Sequence, residues 1–143
     1  MTLAAAQVID AVAARLVPLP ATGGRVYTSR TWPINEPDMP AWRVTAESEG
    51  VEAITLEGTN QHTLTVEARA VARATADLDD VLHALAAGGL ALLFAPVVPH
   101  GLQLQGIDRA LATEGEAAVG AITLTLTATF FVAPEAPETL IST

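Results

Sequence analysis

The stretch "GAITLTLTATFF", residues 120–131, restricts the fold of this chain more strongly than any other part of the sequence. Apolar residues take every second position, and threonines fill most of the positions between them. A period of two places the two sets on opposite faces of a β-strand. The apolar set is Ile122, Leu124, Leu126, Ala128 and Phe130, and the polar set is Thr123, Thr125, Thr127 and Thr129. This pattern predicts an antiparallel sheet that is covered on one face only.

Other segments supply strands for the same sheet. In "HTLTVEARAVAR" the residues predicted to face the core are Leu64, Val66, Ala68 and Ala70. "LQLQGIDRALA" precedes the threonine-rich strand and is joined to it by "ATEGEAA", which has the composition of a turn, so the two are expected to form a long hairpin. Three short strands are predicted at "RVYT", "AWRVTAES" and "VEAITLE", the last bounded by Gly50 and Gly58.

Two segments have the spacing of amphipathic helices. The first covers residues 3–16, and the second is "TADLDDVLHALAAGG", which we expect to end at Gly88 or Gly89. Their apolar stripes consist of Val8, Ile9, Val12 and Leu16 in the first helix, and of Leu78, Val81, Leu82 and Leu85 in the second. The order helix, strands, helix, strands predicts an α+β two-layer sandwich. Its sheet is expected to be mainly antiparallel, and a mixed sheet with some parallel pairing is the alternative. Both helices are expected on one face.

The 143 residues are expected to form a single domain over 1–132, followed by an extended, acidic, proline-rich tail over 133–143. The apolar run at 84–98 is shorter than the roughly 20 residues that a membrane helix needs, so no membrane span is expected. The N-terminus has no basic segment ahead of its apolar residues, which argues against a signal peptide.

The formal net charge is -9, and all seven cationic side chains are arginines. This balance argues against binding nucleic acid through a basic face. The chain has no cysteine, which excludes disulfides and thiolate chemistry. We predict no catalytic, cofactor-binding or metal-binding residues and no enzymatic activity, because no known catalytic motif occurs.

Residues that resemble parts of an active site have simpler interpretations. His62, His83 and His100 have no second ligand at helical or strand spacing, so we interpret them as surface or packing residues. The carboxylates of "ESEGVE" fit a solvated turn, with paired acid catalysis as the alternative. Three aspartates at 77, 79 and 80 fit the first turn of the second helix, where negative charge favours the helix dipole, with metal binding as the alternative.

The connection "SRTWPINEPDMPAWR", residues 29–43, contains both tryptophans, three prolines and two arginines. Tryptophan and arginine are enriched at the centres of interfaces, so this connection is a candidate contact surface. Trp42 is predicted to anchor the connection in the core, because Val44 lies on the same side of the strand. Arg30 and Trp32 are predicted to meet another subunit.

The order and spacing of these elements resemble the tail terminator proteins of long-tailed bacteriophages, the minor tail protein U group. The resemblance extends over nearly the whole chain: a helix "AAAQVIDAVAARL", then "GGRVYTSRTWPI", the strand "PAWRVTAES", the strand and helix "HTLTVEARAVARATADLDDVLHAL", and the hairpin "LQLQGIDRALATEGEAAVGAITLTLTATFFV". Terminators form a ring on the last ring of the tail tube, stop its polymerisation and join it to the head-closure proteins.

The resemblance implies a hexameric homo-oligomer in the virion tail, assembled in the bacterial cytoplasm, with the tail tube protein and head-closure proteins as partners. DNA passes through such a ring without sequence-specific binding and without a cofactor. Acidic residues around "EGE" and "ESEGVE" are expected to line the channel. Arg30, Trp32, Asp108 and Arg109 are the expected interface residues.

Three alternatives stay open at this stage. A head-closure connector subunit or a tail tube subunit has a similar size and architecture. In a different class, the chain is a small-molecule binding domain that uses the apolar surface near "LALLFAPVVPHGLQLQG", residues 90–106.

Overall fold

The computed structural model describes residues 3–28, 39–55, 58–74, 77–95, 99–114, 117–133, 135, 136 and 140. These residues form an α+β fold with two α-helices and one five-stranded mixed sheet. The helices are α1 (Ala4–Leu16) and α2 (Leu78–Phe94), and a single 3-10 turn covers Pro99–Gly101. The strands are β1 (Val26–Tyr27), β2 (Ala41–Ala53), β3 (Asn60–Ala74), β4 (Gln103–Glu114) and β5 (Ala117–Val132).

The strands lie in the order β1-β2-β3-β5-β4. The short β1 pairs with β2 in parallel, and the other three pairs are antiparallel. This arrangement confirms the predicted fold class and the predicted hairpin of β4 and β5. The long strands β3 and β5 pair along most of their length and form the centre of the sheet.

The alternation in the sequence determines which face of the sheet is buried. In β3 the buried side chains are Leu64, Val66, Ala68, Ala70 and Ala72, and in β5 they are Ile122, Leu124, Leu126, Ala128, Phe130 and Val132. They form one core cluster with α1 and α2, so both helices cover this face. Small alanines along β3 allow the helices to approach the sheet closely. We call the covered side the helix face and the other side the open face.

Trp42 is fully buried, as predicted, and its indole packs between β2 and the two helices. A Cβ added to Gly89 would lie 2.7 Å from Trp42 Cζ2, so this helix position leaves no room for a larger residue. The prediction that Gly88 or Gly89 ends the second helix is wrong. The helix continues to Phe94, because Gly89 is used for close contact with Trp42 and Leu93 continues the buried stripe.

The prediction of a separate strand starting after Gly50 is also wrong. β2 runs without a break from Ala41 to Ala53, with a bulge between Ala46 and Ser48, and Gly50 pairs with Thr63. A glycine weakens a strand, but its backbone still forms ladder hydrogen bonds when a long partner strand continues beside it. The result is a single long β2–β3 hairpin.

Within the described part of the C-terminal segment, the side chain of Leu140 packs against the core cluster. No helix in the described ranges is long and apolar enough to cross a membrane.

Candidate functional site: the free sheet edges

The two edges of the sheet differ in how far they are paired. On one side, β1 pairs with Trp42 and Arg43 of β2, and Thr45, Ala46 and Glu47 further along β2 have interaction partners as well. At the opposite edge, β4 pairs with β5 on its inner side only, among the described residues. β4 therefore presents a row of backbone donors and acceptors that another strand can pair with.

The two edges differ in the cover that the helices provide. α1 contacts β1 and β2, whereas α2 contacts β3 and β5. At the outer edge, Leu104 and Ile107 of β4 pair with Leu126 and Leu124, which places their side chains on the helix face. They are nevertheless 39% and 37% exposed, which is high for apolar residues on the covered side of a sheet. β4 therefore presents an incompletely covered apolar strip.

A groove lies at the opposite edge, between α1 and β2. Its volume is about 420 Å³, and the lining is mostly apolar: Leu3, Ala5, Ala6, Ile9 and Asp10 from α1, Thr28 after β1, and Thr45 and Ala46 from β2. Cavities of this size are in the range that holds small ligands or inserted side chains. Asp10 contributes the one charged side chain among these lining residues.

Asp108 and Arg109, both predicted as interface residues, are exposed on β4. The register places them on different faces, since Asp108 pairs with Thr123 and Arg109 with Ile122. Arg109 Nε donates a hydrogen bond to His83 Nε2 of α2 at 3.1 Å. This bond requires a neutral His83 that carries its proton on Nδ1. The backbone fold thus brings Arg109 to the helix face of the free edge.

Arg30 and Trp32 lie outside the described residues, so their predicted contacts stay predictions. The base of their connection is described. Arg25 links the two ends of the connection: its carbonyl accepts a hydrogen bond from Trp42 N at 2.9 Å, and its Nε donates to Pro40 O at 3.0 Å. The two described ends of the connection therefore lie at the β1–β2 edge, beside the α1 groove.

The acidic residues expected to share a channel surface are divided between the two faces. Glu52 pairs with Gln61 on the open face, whereas Glu49 pairs with Leu64 on the helix face and contacts His62. Glu114 lies at the end of β4, and Glu116 is outside the described residues. The turn interpretation of "ESEGVE" is wrong as well, because Glu47 and Glu49 belong to β2 itself.

His62 makes a packing contact and a polar contact within the fold. The His62 ring stacks on Phe130 with centroids 5.1 Å apart, and its Nδ1 contacts a carboxylate oxygen of Glu49. The nearest hydroxyl residues in the sequence, Ser48 and Thr63, lie on the open face, away from this pair. A nucleophile for the His62–Glu49 pair is therefore not supplied by its immediate neighbours.

Among the described residues, no group of three or more His, Asp or Glu side chains is arranged to hold a metal ion. Asp79 and Asp80 lie in the first turn of α2, as predicted from the sequence. Asp77 precedes the helix with φ of 60°.

Sequence reasoning missed Ile107 and the α1 groove, and it named Leu104 only as part of the apolar stretch 90–106. Alternation along β4 is interrupted by the bulge between Leu104 and Gly106, so the apolar strip has no regular period. The free edges themselves depend on strand order, which no local pattern reports.

No protein-family model matches this chain, and no curated protein has significant sequence similarity to it.

Proposed function

We propose that this chain is a structural subunit that assembles into a closed ring in which the outer edge of β4 meets the next subunit, and that the ring is the tail terminator of a long-tailed bacteriophage. The observation that carries the proposal is this edge: among the described residues β4 pairs with β5 only, and its Leu104 and Ile107 are 39% and 37% exposed.

An uncovered edge on one side of the subunit supports head-to-tail assembly. β4 of one subunit then meets a different surface of the next. Each subunit then repeats the same relation to its neighbour. Such heterologous contacts form rings when the rotation between subunits closes. Adding a strand to an exposed sheet edge is a common way for proteins to bind each other.

The open face supports a role as the wall of a channel. Its central strands carry rows of hydroxyls from Thr63 and Thr65 in β3 and from four threonines in β5. Among the residues whose side chains are described, the register places three arginines and three carboxylates on this face: Arg43, Arg69, Arg73, Glu52, Glu67 and Asp108. A wall that carries both signs of charge beside neutral hydroxyls does not hold phosphates as a basic surface would.

The assignment to a tail terminator rests on the resemblance in the order and spacing of the sequence elements. The resemblance implies a hexamer that caps the tail tube and meets the head-closure proteins. A connector or tube subunit forms rings as well, so ring formation supports the architecture and a second experiment must identify the role.

The first experiment measures assembly of the purified chain over a wide concentration series by native mass spectrometry and negative-stain electron microscopy. We expect closed rings with a central hole at high concentration. Symmetric dimers as the final state, open filaments, or a monomer throughout would each contradict self-closure into a ring.

The second experiment tests the role in the tail. We expect the genes beside the one for this chain to encode a tail tube protein and head-closure proteins. Co-expression with that neighbouring tube protein should yield tubes bearing this chain at one end only. Incorporation along the whole tube would instead identify a tube subunit, and binding to the portal-side proteins without binding to tube ends would identify a connector.

The α1 groove favours one alternative function, the binding of a small apolar ligand. In the surface first suggested for such a ligand, Leu93 and Leu102 are buried in the core, whereas Leu104 is exposed. A ligand that raises the melting temperature of a chain that stays monomeric would favour this alternative over the ring.

A further inference from the structure

Arg109 lies on the helix face of β4, two residues beyond Ile107, so the two side chains are neighbours on that face. The side chain of Arg109 is exposed, and its Nε donates a hydrogen bond to His83 Nε2 of α2 at 3.1 Å. This bond holds the guanidinium against the helix, beside the apolar strip that Leu104 and Ile107 form. A guanidinium that is not held there can extend over the strip.

The bond depends on the protonation state of His83. A guanidinium only donates hydrogen bonds, so His83 Nε2 accepts with a lone pair and the imidazole is neutral. Histidine changes its charge between about pH 5 and 8, and both ring nitrogens are donors once it is protonated. Two donors form no hydrogen bond, and two adjacent cations repel each other. A proton on His83 therefore releases Arg109.

The first turns of α2 offer other partners to a protonated imidazole. Asp79 and Asp80 lie four and three residues before His83, so the three side chains are neighbours on the helix surface. Both carboxylates are exposed. The imidazole thus accepts from Arg109 when it is neutral and has carboxylates to donate to when it is protonated.

The other charged side chains of the elements packed around α2 lie elsewhere, within the described ranges. α1 contributes Asp10, which lines the groove at the far edge, and Arg15, which donates to Ala95 O beyond the C-terminal end of α2. Glu114 is the last residue of β4, and β5 has no charged residue. The remaining charged residues of β3 and β4 lie on the open face: Glu67, Arg69, Arg73 and Asp108.

We propose that His83 and Arg109 form a pH-sensitive latch for the outer edge of β4. When His83 is neutral, the guanidinium is held against α2 and the apolar strip can meet the next subunit. When His83 is protonated, the guanidinium extends over the strip, and charged side chains on an edge strand discourage pairing. This inference rests on the proposed ring: assembly is favoured while His83 is neutral and weakened as the pH falls through the range in which it gains its proton.

The experiment measures the concentration at half-assembly by analytical ultracentrifugation at about pH 8 and about pH 5.5, near the two ends of the range in which histidine titrates. The test variant is His83→Gln, whose amide oxygen can accept from Arg109 Nε and does not titrate in this range. The matched control is His100→Asn, which removes a histidine outside α2. Asparagine tolerates the φ of 49° at that position.

We expect the unaltered chain and His100→Asn to need about threefold more protein for half-assembly at the lower pH, as the loss of one exposed charge contact predicts. His83→Gln should show no such rise. An equal rise in His83→Gln would overturn the latch, because another group would then carry the pH dependence. Rings that form equally well at both pH values in the unaltered chain would also overturn the latch and leave the ring intact, whereas the absence of rings at both would overturn the latch and the ring.

Nuclear magnetic resonance below the assembly concentration observes the latch without the ring. At about pH 8 we expect His83 to carry its proton on Nδ1, and we expect the Nε–H signal of Arg109 to shift as His83 gains its second proton. A proton on Nε2 at the higher pH, or an Arg109 signal that does not respond to His83, would show that the bond is absent in solution. Either result would overturn the latch whether or not rings form.

Discussion

The indole of Trp42 lies directly against the backbone of Gly89. A Cβ built at Gly89 would be 2.7 Å from Cζ2 and 2.8 Å from Cη2 of the ring, closer than any ordinary contact. Trp42 is fully buried, so its ring has no free space to move into. This contact fixes how closely α2 packs onto β2.

Replacing Gly89 should therefore destabilise the chain. Alanine favours a helix by about 1 kcal/mol over glycine, whereas overpacking a core costs about 1–3 kcal/mol. We expect Gly89→Ala to lower the free energy of unfolding by about 1–2 kcal/mol, measured by urea denaturation. Gly88→Ala is the matched control, because its Cβ would meet only the end of the flexible Leu19 side chain at 2.6 Å. It should be neutral or stabilising, and equal losses for both variants would refute the explanation.

The same contact predicts energetic coupling between the two positions. A phenylalanine at position 42 lacks the outer part of the indole that reaches Gly89, so Gly89→Ala should cost less in the Trp42→Phe background. We expect a coupling energy of about 1 kcal/mol or more from the double-mutant cycle. Additive effects of the two substitutions would mean that the Gly89→Ala penalty arises elsewhere.

A charge on the uncovered strip of β4 should block assembly and preserve the fold. Ile107→Lys places an ammonium in the exposed aliphatic strip of β4, and lysine on an edge strand discourages pairing. We expect the concentration at half-assembly to rise at least tenfold in native mass spectrometry, with little change in melting temperature. Ile54→Lys, at a residue that is 44% exposed, is the control and should assemble normally.

The proline-rich connection is the remaining candidate surface. We expect Arg30→Glu and Trp32→Ala to reduce ring assembly with little change in melting temperature, since both are predicted to contact a neighbouring subunit. Differential scanning fluorimetry and native mass spectrometry on the same samples measure the two effects. Parallel losses of stability and assembly would show that these residues support the core.

Local patterns in the sequence were sufficient to predict the secondary structure type, the face of each central strand and the burial of Trp42. These properties depend on local periodicity: the alternation in β5 and β3 and the spacing of apolar residues in α1 each report one element and its own buried side. Hydrophobic residues at such spacings are buried together when the apolar stripe of each helix packs against the apolar face of the sheet, so the α+β class followed from them.

Local patterns do not predict which strands lie at the edges or that helix and strand continue through Gly50, Gly88 and Gly89, because these features depend on tertiary packing. Strand order depends on pairing between segments that are far apart in the chain, and a glycine ends a helix or a strand only when no neighbour continues the packing. The division of Glu49 and Glu52 between two faces follows from the continuation of β2 to Ala53, because residues three apart in one strand point to opposite faces. The groove beside α1 and the strip on β4 arise from the same pairing order, because it places one helix above an edge and leaves the opposite edge partly uncovered.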